Sequence, residues 1–126
     1  LNPSGNSPDY QSAYQASFAG AHYMLTAAGF GNYAYRLYEI MRAGRIPVYI
    51  DTDGLLPCSD VIPWRDIMVW VSASEVDYTA EVILDFHYSI HSDDFVALQE
   101  RIAFYYKEYL HSKAFARYVY THLRFI

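Results

Sequence analysis

The stretch His22-Tyr23-Met24-Leu25-Thr26-Ala27-Ala28-Gly29-Phe30-Gly31-Asn32, continuing through Tyr33-Ala34-Tyr35-Arg36-Leu37-Tyr38-Glu39-Ile40-Met41-Arg42-Ala43-Gly44 to Ile46-Pro47-Val48-Tyr49-Ile50, decides the fold. His22–Thr26 is a short apolar run with the length of a buried strand. It breaks into the small-residue loop Ala27–Gly31. Asn32 is a good N-cap, because its side-chain oxygen can accept an orphan backbone N–H. The spacing predicts an amphipathic helix from Tyr33 to Ala43. Tyr33, Ala34, Leu37, Tyr38, Ile40 and Met41 share one face, and Arg36, Glu39 and Arg42 lie opposite. Gly44 is the expected C′ residue in a left-handed conformation. Ile46–Ile50 reads as a second buried strand, with Pro47 near its start where a missing N–H is tolerated.

Working outward, residues 1–8 read as a flexible linker rich in Pro, Gly, Ser and Asn. Asp9 is the expected N-cap of a helix through Ala19, closed by Gly20. Downstream, Asp51–Pro63 is turn-rich, and Ile67–Val71 makes a third strand. Ser74 is expected to cap a helix to Ser89. Ser92 is expected to cap another to Leu110, with Asp93 and Asp94 complementing its positive end. A last helix runs from Lys113 to Leu123. This order is the grammar of an α/β fold: a Rossmann-like parallel sheet of few strands, flanked by helices and ending in a helical C-terminus. Three strands is a small sheet, and its exposed edge is a place where a second copy could pair. Together with the leucine at position 1, this leads to the expectation of a fragment of a larger enzyme, with residues 9–126 as one domain.

Composition bounds the function. The 126 residues are 53% apolar and 18% charged, with 14 Tyr, 7 Phe and 2 Trp, enough to bury one core. Nine basic against 14 acidic residues give a formal charge of -5. No basic stripe for a nucleic-acid backbone and no polybasic membrane patch is present. The single Cys58 has no partner for an internal disulfide and lacks the His and Asn or Asp context of a thiol nucleophile. With no signal pattern and no apolar run near the length of about 20 residues that spans a bilayer, the expected location is cytoplasmic.

The strand–loop–helix unit from His22 to Ala43 carries the chemistry. Unpaired N–H groups and the helix dipole favour an anion at a helix start. Gly29 and Gly31 would let a phosphate approach the backbone, although the three-glycine dinucleotide fingerprint is incomplete and a plain tight turn fits the same residues. Arg36 and Glu39 lie one turn apart. A guanidinium can clamp a diphosphate, and a carboxylate can accept the hydroxyls of a ribose. A solvated (i, i+3) ion pair fits them equally.

Gly31–Glu39, then Ala43-Gly44-Arg45-Ile46-Pro47-Val48, then Leu56-Pro57 and Asp60-Val61-Ile62-Pro63-Trp64, resembles the core of the exostosin-like glycosyltransferases. The likeness extends from about Ser17 to Tyr109. It implies half of a GT-B fold: a C-terminal donor domain facing a missing N-terminal GT-B domain across a cleft. It further implies inverting transfer of a sugar from a nucleotide sugar to a glycan acceptor, with no cofactor and no metal held by an acidic pair. By position, Glu39 would hold the donor ribose, while Arg36 and the backbone of Gly29, Gly31 and Asn32 would face the diphosphate. Arg45 could reach the same anion by folding over the cleft. No catalytic residue is assigned to this chain, since the base of such enzymes comes from the other domain. Ala28 and Ala34 stand where the family pattern has an arginine and a serine. That departure motivates an alternative: a degenerate, non-catalytic nucleotide- or carbohydrate-binding module.

Three other features carry less. Asp51-Thr52-Asp53 after a strand could hold a divalent cation with a sugar-nucleotide, as in GT-A enzymes, but such residues are also routine turn formers. In the GT-B reading this loop lines the donor side of the cleft. His87 and His91 have the spacing of a helical metal pair without the glutamate of the zinc-protease motif. Of the many tyrosines, Tyr33 and Tyr35 flank the expected site.

Overall fold

The computed structural model describes residues 8–27 and 33–124. The expected linker therefore lies outside the described residues except for Pro8, which opens the first helix. Helix α1 spans Pro8–Gly20, strand β1 Tyr23–Ala27, helix α2 Tyr33–Arg42 and strand β2 Ile46–Asp51. After an irregular crossover come a short helix α3, Trp64–Ile67, and strand β3, Val69–Ser72. A 3₁₀ turn over Ala73–Tyr78 leads into α4, Thr79–Ser89. Helix α5, Ser92–Tyr105, runs through a π turn at Tyr106–Leu110 into α6, Ser112–Leu123.

The sheet is parallel, with order β1-β2-β3. Tyr23 stands opposite Ile46 and Ala27 opposite Ile50, while Val48 stands opposite Val69 and Asp51 opposite Ser72. Central β2 is buried along Ile46–Ile50, as a strand covered on both faces must be. Helix α2 lies between the sheet and the α5–π-turn rod, and α4 packs on β3. The amphipathic pattern of α2 is realised: Leu37, Ile40 and Met41 are buried, and Tyr35, Glu39 and Arg42 are exposed. From the other side, Leu98 and Ile102 of α5 and Leu110 of the π turn close the core.

Gly44 ends α2 as its position predicts. Its φ is +67°, its N–H donates to the Met41 carbonyl at 3.0 Å, and Arg45 N–H donates to Ile40 at 3.0 Å. Those two bonds form a Schellman motif, which satisfies carbonyls the helix leaves over.

Several boundaries differ from expectation. β1 starts and ends one residue later than His22–Thr26. The third strand begins at Val69 rather than Ile67, because Ile67 completes α3. That turn is fixed by Trp64, whose indole N–H donates to the Pro57 carbonyl at 2.8 Å. Ile67 and Met68 are both buried, and a short apolar run by itself does not distinguish a buried helical turn from a strand. Ser74 falls inside the 3₁₀ turn and caps nothing. Ser92 is already helical: His91 holds the N-cap position in extended backbone and makes no side-chain cap.

Candidate functional site

Parallel pairing puts the carboxyl end of β1, the start of α2 and Asp51 at one end of the sheet. Arg36 and Glu39 project from the first two turns of α2, and a residue of α1 links them. The Tyr14 hydroxyl donates to Glu39 Oε2 and accepts from Arg36 Nη1 at 3.3 Å. The guanidinium also sits 5.8 Å from the centre of the Tyr14 ring. Partial burial, then the Glu39 carboxylate, push the Tyr14 phenol above its ordinary value; Arg36 pulls the other way. Thus Arg36 and Glu39 belong to a three-residue network rather than to a bare ion pair. Tyr14 escapes sequence reading because it lies 25 residues from Glu39, in a helix that shows no strong amphipathic pattern.

Arg36 has a second partner. Its Nε donates to the Leu25 carbonyl at 2.7 Å. In a parallel strand, alternate carbonyls point to the same side. The His22 carbonyl accepts from Ile46 N–H of β2, so the Leu25 carbonyl points to the open edge of the sheet. Arg36 therefore covers part of the edge that strand pairing with another chain would need.

Gly29, Gly31 and Asn32 lie outside the described residues. Tyr35 is exposed, at 69%. Arg45 immediately precedes β2, six residues and roughly 20 Å from Asp51 at its other end. The structure does not bring it to the start of α2, and its Nε is buried with no hydrogen-bond partner among the described residues. Asp51 accepts the Asp53 N–H at 3.0 Å, and Asp53 has a φ of +63°: this is an Asx turn, the bland alternative for that stretch. Among the described residues, no three His, Cys, Asp or Glu side chains converge as metal ligands. His87 instead meets Tyr23, hydroxyl to Nδ1, at 2.8 Å, and His91 lies beyond the end of its helix. Cys58 is buried, and burial followed by Asp60 pushes its thiol up, which disfavours the thiolate. No helix among the described residues is long and apolar enough to cross a membrane.

A parallel sheet whose first strand delivers the chain to a helix bearing an arginine and a carboxylate defines a Rossmann-like half domain, a class that binds ligands outside the carboxyl ends of its strands. In sequence the chain is similar to plant glycosyltransferases. It is 34% identical over 77 residues to the probable beta-1,4-xylosyltransferase IRX10L of Arabidopsis thaliana, an alignment covering 61% of this chain and 19% of that protein. It is 37% identical over 70 residues to the probable glucuronosyltransferase GUT1 of Oryza sativa subsp. japonica, covering 56% and 17%. A further probable glucuronosyltransferase of the same rice is 30% identical over 97 residues, covering 77% and 21%. The chain spans about one fifth of the length of these curated relatives. No protein-family model matches it, and no solved structure matches it significantly.

Proposed function

We propose that the chain is the donor-binding domain of an inverting, exostosin-like glycosyltransferase of GT-B architecture, working with an N-terminal domain to pass a sugar from a nucleotide sugar to a glycan acceptor. The observation that carries this reading is the joined placement of Arg36 and Glu39 on the first turns of α2, at the carboxyl end of β1. Likeness to xylosyl- and glucuronosyltransferases supports the same reaction class.

In this reading the amide hydrogens of the first turn of α2 and the Arg36 guanidinium neutralise the donor diphosphate. The fork of Arg36 has more N–H donors than Leu25 and Tyr14 engage. Glu39 accepts the ribose hydroxyls in place of the Tyr14 hydroxyl. No residue of this chain serves as the base, which comes from the acceptor-side domain. Stabilising the departing nucleotide diphosphate is this domain's share of the catalysis.

Calorimetry of the chain with UDP, GDP and their sugars tests the reading. Saturable binding is expected, weakened at least tenfold by Glu39→Ala. Absence of binding at millimolar nucleotide overturns it in favour of a degenerate module, the reading motivated by Ala28 and Ala34. Sugar transfer by the isolated chain would overturn the assignment of the base elsewhere.

A further inference from the structure

At 13 residues, α1 has a length at which a helix in water is marginal by itself, so it depends on what it docks against. From Ser12 to Gly20 none of its residues is buried, and only Tyr14 and Phe18 are half-buried. Their rings meet edge to face at 5.1 Å. A phenol has one proton to give. Tyr14 gives it to Glu39 Oε2, while its oxygen accepts from Arg36 Nη1 at 3.3 Å. Partial burial and the Glu39 carboxylate keep that proton on the phenol at neutral pH.

We propose that α1 is a latch, closed on Glu39 by the Tyr14 hydroxyl and opened by the ribose of a bound nucleotide. The inference rests on the reading of Glu39 as the ribose ligand. A carboxylate that grips a vicinal diol uses both its oxygens, one for each hydroxyl. One oxygen of Glu39 already receives the phenol, so the diol and Tyr14 compete for it. Replacing the phenol by a ribose hydroxyl is close to an even exchange, one charge-assisted bond for another. What changes is α1, which loses its bond to Glu39. Arg36 behaves differently. Its Nε is held by the Leu25 carbonyl at 2.7 Å, so a diphosphate can meet the rest of the fork with Tyr14 in place. The latch therefore answers to the sugar hydroxyls of the nucleotide and not to its phosphates. The coupling is reciprocal: whatever holds α1 away from Glu39 strengthens nucleotide binding by the factor with which the nucleotide favours release.

Hydrogen exchange and calorimetry on the 126-residue chain test the latch. A saturating ribonucleoside diphosphate, UDP or GDP, should speed amide exchange several-fold over residues 12–20 and leave β2 unchanged. The matching 2′,3′-dideoxynucleoside diphosphate, which keeps the phosphates and lacks the diol, should leave α1 exchange as it was. Tyr14→Phe should bind the ribonucleotide roughly two- to tenfold tighter and the dideoxynucleotide with unaltered affinity. Ribonucleotide binding with α1 exchange unchanged or slowed overturns the latch and leaves the donor reading standing. So does weaker ribonucleotide binding by Tyr14→Phe, which would make Tyr14 a group that positions Glu39. Equal release of α1 by both nucleotides overturns it too, since the phosphates would then open it. Absence of nucleotide binding by wild type and variant alike overturns the donor reading, and the latch with it.

Discussion

Asp60 and His122, 62 positions apart in the chain, meet at 2.9 Å where the crossover touches the last helix. The other ring nitrogen of His122, Nδ1, lies 2.8 Å from the Tyr118 carbonyl. Both ring nitrogens thus face acceptors, and only the imidazolium can donate from both. The Tyr118 hydroxyl donates to the second oxygen of Asp60, and its ring lies 4.0 Å from that of His122. The Asp60 hydrogen bond is the main cause that pushes the Tyr118 phenol up to about 12.

This clasp has a pH window. Hydrogen bonding to Asp60, then to the Tyr118 carbonyl, raises His122 above its ordinary 6.5, so its contribution is complete below that value and is lost as pH rises through the raised one. Bonds from Tyr118 and then His122 lower Asp60 below its ordinary 3.8, so its contribution is complete above 3.8 and lost as pH falls further. The melting-temperature difference between wild type and His122→Ala should be larger at pH 6 than at pH 8.5. A difference independent of pH would show that the imidazolium does not matter. The groups are exposed, so the effect should be small and should shrink in salt.

Removing the Tyr14 hydroxyl should loosen α1 selectively. Tyr14→Phe keeps the edge-to-face contact with Phe18 at 5.1 Å but loses the bonds to Arg36 and Glu39. Net hydrogen-bond contributions of about 0.5–1.5 kcal/mol translate into amide exchange several-fold faster over residues 12–20, with β2 unchanged. Uniform acceleration across the chain would contradict a local tether.

Gly44→Ala should cost about 1–2 kcal/mol, measured by urea unfolding, because an L-residue at φ +67° is strained. Space is not the obstacle: the added carbon would lie 3.6 Å from the Gln99 carbonyl oxygen, an ordinary contact.

Ile102→Ala should cost about 2–5 kcal/mol by the same measurement, since Ile102 is fully buried in the core that α5 forms with the sheet layer. A smaller loss would mean that the α5–α2 packing collapses around the cavity.

What the chain reveals locally, its sequence reveals well. The strands, the α2 face and the Gly44 stop follow from periodicity and one special residue each. What depends on distant partners stays hidden. Nothing near Asp60 announces Tyr118 and His122, and nothing near Arg36 announces Tyr14. Arg36 and Glu39 were legible as a pair because they share one helix. Arg45 precedes β2, and the expected parallel pairing already puts the amino end of β2 at the opposite end of the sheet from the start of α2. The α3 turn was masked by an apolar run that suits two geometries equally.

The π turn at Tyr106–Leu110, sealed by the His111 N–H to Tyr106 carbonyl bond of 2.8 Å, has a consequence for how this protein can change. It carries a surplus residue in the last turn before the helix breaks at His111, whose ψ is 144°, and excising that residue would swing everything beyond it by about 100° around the axis of α5. His122 would then face away from Asp60. Length, as much as identity, is therefore constrained here: substitutions along the rod's outer face are cheap, whereas a single-codon deletion would redirect the whole tail.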